Sequence, residues 1–69
     1  REVSNIIVYP NPTNGLINII GNDSLFLIYD SLGRVCLKSV GQEADLSGLS
    51  KGTYYLRFAD GTSLHLIKK

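Results

Sequence analysis

The sharpest alternation of apolar and polar positions lies in the last third of the 69-residue chain. Tyr54, Leu56 and Phe58 alternate with Thr53, Tyr55 and Arg57, the period-two pattern of a strand that buries one face. Gly52 marks its entry, where a residue without Cβ most easily takes a positive φ or a bulge. Leu46 and Leu49, just upstream among small and turn-forming residues, are placed to close the end of a core. Beyond Phe58, Ala59-Asp60-Gly61 leads into a second apolar stretch, residues 62–67. A two-residue Asp60-Gly61 turn would set Phe58 against Ser63 and Leu56 against His65. A three-residue loop with Gly61 in the left-handed position instead pairs Phe58 with Thr62, Leu56 with Leu64 and Tyr54 with Leu66. One residue of slip moves a whole side-chain set to the wrong face, so the three-residue loop is expected.

Further strands follow from the same pattern. Residues 6–9 form a short one, and residues 16–20, Leu-Ile-Asn-Ile-Ile, a second. Between them Pro10-Asn11-Pro12-Thr13-Asn14-Gly15 is the densest turn chemistry in the chain. Its two prolines fix φ and remove two ladder donors, and Asn14-Gly15 favours positive φ. Residues 25–29, Leu-Phe-Leu-Ile-Tyr, are apolar on both faces and so belong in the middle of a sheet. Asp30-Ser31-Leu32-Gly33 reads as a four-residue hairpin loop into a strand over residues 34–40, and residues 44–46 add a brief fifth strand. No stretch has helical periodicity. Seven short antiparallel strands at roughly 8–12-residue spacing predict an all-β sandwich.

Size and composition narrow the picture. The chain is one domain, close to the length at which a single core just offsets chain entropy. With 43% hydrophobic and 19% charged residues it is too apolar for disorder. A net charge of +1 from scattered basic residues gives no nucleic-acid surface, and no apolar run is long enough for a membrane span. The absence of an initiating Met and of a signal peptide points to a domain of a longer protein, with residues 1–5 the remnant of a linker. The single cysteine, Cys36, cannot form an internal disulfide and sits among apolar residues, so a small buried hydrophobe is expected there.

Candidate chemistry is sparse. His65 is the only histidine, on the exposed side of the last strand beside Tyr55, and no nucleophile and orienting acid accompany it. Asp23, Asp30, Asp45 and Asp60 adjoin turns, where aspartate hydrogen-bonds local amides. Neither an EF-hand loop nor a zinc ligand set is present, so no metal or cofactor is expected. Tyr55, Arg57 and His65 could form a patch for a glycan or partner, although such a strand face is more often ordinary cross-strand packing.

Three motifs in order resemble the type A C-terminal sorting domain of the type IX secretion system. They are Val8-Tyr9-Pro10-Asn11-Pro12-Thr13-Asn14-Gly15 with the strand after it, Ile28-Tyr29-Asp30-Ser31-Leu32-Gly33-Arg34-Val35, and Asp45-Leu46-Ser47-Gly48-Leu49-Ser50-Lys51-Gly52-Thr53-Tyr54-Tyr55. The basic pair Lys68-Lys69 follows them. The resemblance spans residues 8–69. Cys36 departs from the usual aliphatic residue, as does Thr53.

That resemblance implies an immunoglobulin-like β-sandwich without catalytic activity. It would follow an N-terminal cargo domain in the same chain and direct that cargo from the periplasm across the outer membrane of a Bacteroidetes-type bacterium. Its partners would be the type IX translocon and a sortase-like surface peptidase that removes it, leaving cargo secreted or at the cell surface. The motif residues carried over are Tyr9, Pro10, Asn11, Pro12, Gly15, Gly33, Leu49, Gly52, Tyr54, Lys68 and Lys69. Of these, Pro10, Asn11, Pro12, Gly15, Gly33 and Gly52 are expected to set backbone geometry, whereas Lys68 and Lys69 have no evident folding role and so read as a docking element. Two alternatives are a glycan-binding or adhesive sandwich module of a cell-surface enzyme, and a structural spacer.

Overall fold

The computed structural model describes residues 6–69, so the expected linker remnant at residues 1–5 lies outside the described residues. Two antiparallel sheets face one another. One has the order β1 (Ile7–Tyr9), β2 (Leu16–Ile20), β5 (Glu43–Asp45), and the other the order β4 (Val35–Val40), β3 (Leu25–Asp30), β6 (Gly52–Phe58), β7 (Ser63–Lys68). The described residues contain no helix. This is the architecture expected of a small all-β sandwich.

The core follows the alternation. Ile17 and Ile19 from β2 and Ala44 from β5 face Phe26, Ile28, Tyr54, Leu56, Phe58 and Leu66 of the larger sheet, with Leu46 closing one end. Leu49 packs against this core half-buried. The strand apolar on both faces, β3, lies inside its sheet between β4 and β6. Phe26 and Phe58 are direct cross-strand partners with ring centroids 5.2 Å apart.

The β6–β7 hairpin has the expected register, with Leu56 opposite Leu64 and Tyr54 opposite Leu66. Phe58 N donates to Thr62 O, Gly61 N donates to Phe58 O, and Gly61 has φ +94°. The β3–β4 hairpin is built the same way, which corrects the four-residue loop expected there. Asp30 is the last residue of β3, its N donates to Arg34 O, and the loop is Ser31-Leu32-Gly33 with Gly33 at φ +84°. Asp30 stays in the ladder because its carboxylate has local work. Oδ1 accepts the amides of Leu32 and Arg34, each at 2.9 Å, and Oδ2 pairs with Arg34 Nε at 2.9 Å.

Below this hairpin Ile28 faces Leu37 and Tyr29 faces Val35, so Cys36 is the extra residue of a bulge. It is therefore half-buried rather than buried. The bulge breaks the alternation, and the thiol lies 3.6 Å from Arg34 O.

Two anchors can be tested. Tyr54 is 6% exposed and its hydroxyl donates to Ser50 O, four residues upstream, the tyrosine-corner arrangement of such sandwiches. Burial pushes its phenol above the ordinary value, and the Cys36 and Asp30 groups act the same way. Tyr54→Phe is expected to cost about 0.5–1.5 kcal/mol in urea unfolding, and an unchanged midpoint would remove the corner from the stabilising contacts. The Arg34 amide, with the Arg34 guanidinium and the Leu32 amide, holds the Asp30 carboxyl below the usual carboxylate range. Its contribution is fully present above the unfolded value and fades as pH falls through the lower folded value. Asp30→Asn is expected to lower the Tm at about pH 7 and to approach wild type as pH falls toward about 2. Parallel Tm curves for the two proteins across that range would contradict the assignment.

Candidate functional site

The segment after β1 cannot continue as a strand, because Pro10 and Pro12 have no amide to donate. Both X–Pro bonds, Tyr9–Pro10 and Asn11–Pro12, are cis. Residues 10–15 instead cross from the smaller sheet to the outer edge of β7 and form a strap along it. Asn11 Oδ1 accepts Ile67 N at 3.0 Å, and Asn11 Nδ2 donates to His65 O at 3.2 Å. One rung further, Thr13 N donates to Ile67 O and Lys69 N donates to Thr13 O, both at 2.8 Å, a parallel bridge. The backbone groups engaged all belong to residues 65, 67 and 69, the alternate positions that face away from β6.

Thr13 fixes the strap. It is 1% exposed, and its hydroxyl donates to Leu16 O at 2.7 Å and accepts Gly15 N at 3.0 Å. Gly15 has the expected positive φ, +159°, and close approach is a second reason for a residue without Cβ. A Cβ there would lie 3.1 Å from Ser47 Cβ and 3.2–3.3 Å from Ser47 backbone atoms. Gly15 O also accepts Leu46 N at 2.7 Å, tying the strap to the turn where Leu49 N donates to Leu46 O. In that turn Ser47 N donates to Asp45 Oδ1 at 2.9 Å, and the Ser47 hydroxyl and amide together hold the Asp45 carboxyl below its ordinary value.

The structure gathers most motif residues at one end of the sandwich. Tyr9 ends β1 opposite Asn18 and is exposed, and Pro10, Asn11 and Pro12 form the outer strap. Gly52 opens β6 opposite Lys68, and Tyr54 lies between Asp30 and Leu66 in register. The Gly33 hairpin tip therefore projects from the same end, on the far side of β6. Two expectations change. Asn11 acts through its side-chain amide, which stands in for a strand's peptide group, and not by shaping backbone alone. Lys68 and Lys69 do have a folding role, because their backbones complete the β6 ladder and the bridge to Thr13. Thr13, Ser47 and the outward backbone of His65 and Ile67 belong to the site without having been singled out in the sequence. A signal existed only for Thr13, a hydroxyl able to bond an amide two residues on inside a turn-rich run.

A further concave region lies on the outer face of the larger sheet. Tyr55 opposes His65, as expected from the sequence, and on its other side it opposes Tyr29. With Arg57, Ser63 and the Asp30–Gly33 hairpin, the two tyrosines line a groove of about 400 Å³. Chemically, the strap end offers backbone amides, a side-chain amide and two lysines.

Among known proteins, the model of one family, described as the secretion system C-terminal sorting domain, matches residues 7–69. No curated protein and no solved structure matches the chain. The matched span contains the strap, both hairpins and the whole β7 edge, and the chain belongs to the family of C-terminal sorting domains that mark proteins for type IX secretion.

Proposed function

We propose that this domain is a non-catalytic sorting signal, read by the outer-membrane translocon at the end where strap and β7 meet. The observation that carries the reading is the meeting itself. Motif residues far apart in sequence, Asn11, Pro12 and Gly15 on one side and Gly52, Lys68 and Lys69 on the other, meet at one end of the sandwich. The domain follows its cargo in the same chain, as one unit over residues 1–69. A sortase-like surface peptidase removes it, and the cargo ends secreted or at the cell surface after passing through the periplasm. Lys69 is exposed and Lys68 half-buried, so their charges can be changed without disturbing the core.

A second reading is favoured by the groove lined by the cross-strand residues Tyr29 and Tyr55, which with neighbouring Arg57 and Ser63 suit a sugar ring. In this reading the domain holds a glycan on that face.

The first test is an export assay in a bacterium with this secretion system, using a fluorescent protein with a periplasmic signal fused to residues 1–69. Surface or medium fluorescence is expected to require the domain. The double variant Lys68→Gln/Lys69→Gln should export severalfold less while its stability changes by less than about 0.5 kcal/mol. Full export of the folded double variant would move recognition away from the lysines. For the glycan reading, titration with soluble oligosaccharides should shift the Tyr29 and Tyr55 amide resonances and lose that response in Tyr55→Ala. Silence of those resonances throughout the titration removes it.

A further inference from the structure

The sheet edges differ in how much of their outward backbone is already engaged. β1 and β5 are only three residues long. β4 has the Cys36 bulge and Lys38, two features that blunt an edge. β7 is six residues long and pairs with β6 without a register shift from Lys68 back to Ser63. Its outward groups fall into three classes. Ile67 O and Lys69 N are taken by the backbone of buried Thr13. Ile67 N and His65 O are held only by the side chain of Asn11, an exposed residue. The His65 amide and the outward groups of Ser63 have no partner among the described residues.

From this gradation we infer that the β7 edge from Ser63 to Ile67 is a strand-addition site, that the Asn11 side chain plugs it in the free domain, and that its partner supplies an extended peptide strand. The inference deepens the sorting reading and rests on it for the identity of that partner as part of the export machinery. The Asn11 amide presents one acceptor and one donor to adjacent outward groups of β7, as a peptide group of a neighbouring strand would. The plug thus shows that a peptide group fits this rung. An incoming strand replaces that one amide and remakes its two exposed hydrogen bonds. It then continues along His65 and Ser63, where outward groups stand ready. Thr13 stays in place and marks where the added strand ends. The flanking side chains define the partner's pattern. Leu64 is half-buried on the inner side, while His65 and Tyr55 are exposed on the outer side. The fitting strand therefore alternates an apolar residue over Leu64 with a residue that packs beside His65.

Proline at position 65 separates edge from fold. The His65 amide points outward, so His65→Pro removes a docking donor without removing a β6–β7 ladder bond, and an outward edge position tolerates proline. In the reporter fusion, His65→Ala, which loses the imidazole contact but keeps the outward amide, is expected to lower export by less than about threefold, whereas folded His65→Pro loses export more than about tenfold, a change of roughly 1.4 kcal/mol or more. If His65→Pro fails to fold by circular dichroism, Ser63→Pro takes its place. Asn11→Ala should speed hydrogen exchange at the Ile67 amide. A synthetic peptide with the sequence of residues 62–68, added to the Asn11→Ala chain, should shift the amides of residues 63–67 and leave the β4 edge unmoved. Equal export of the proline and alanine variants overturns the inference, as does unchanged Ile67 exchange. A wild-type fusion retained in the periplasm would count against the sorting reading instead. The peptide titration then decides the edge by itself, and shifts absent or confined to β4 reject it.

Discussion

The apolar seam between β3 and β6 is what the rest of the structure depends on. Phe26 against Phe58 and Ile28 against Leu56 place four buried side chains along two neighbouring strands, and β4 and β7 hang on their outer sides. In so short a chain there is no second core to share the load. The smaller sheet serves chiefly to cover this seam with Ile17, Ile19 and Ala44. Tyr54 extends the seam to the end of the sandwich, where its hydroxyl pins the approach to β6. Everything at the functional end, from the Leu46 turn to the strap, takes its position from that extension.

A small sandwich has more edge for its core than a large one, and an open edge invites pairing with other chains. Here three local devices handle the four edges. Shortness serves β1 and β5, a bulge with a lysine serves β4, and the strap serves β7. The strap is the unusual solution, because half of its cover comes from the side chain of Asn11. Prolines on either side of Asn11 keep the segment from forming an ordinary strand of its own.

Strand positions, the β6–β7 register and the central place of β3 were all legible in the sequence. Period-two burial and turn chemistry are local and leave their mark residue by residue. The loop after Asp30 was misjudged by one residue, since only the carboxylate's contacts with Leu32 and Arg34 show that Asp30 remains in the ladder. Cys36 was misplaced because a bulge shifts alternation without any signature in composition. The family motifs picked out residues that the fold gathers at one end, but not how they meet there. That Asn11 reaches Ile67, or that Gly15 must admit Ser47, depends on how the two sheets bring distant segments together, and no pattern along the chain encodes it.

The strap also bears on what the surface can report. Its contacts with β7 join residues 54 and 56 positions apart, so they are among the most non-local in the domain. Contacts of this kind exist only once the chain between them has been brought to its folded course, because closing so long a loop costs entropy. The surface is therefore a conformational epitope in the immunologist's sense. No linear fragment displays it, and neither does a chain that has collapsed without completing its sandwich. Were a receptor to read this end, it would read at the same time whether the domain has finished folding, and address and quality control would reside in one feature.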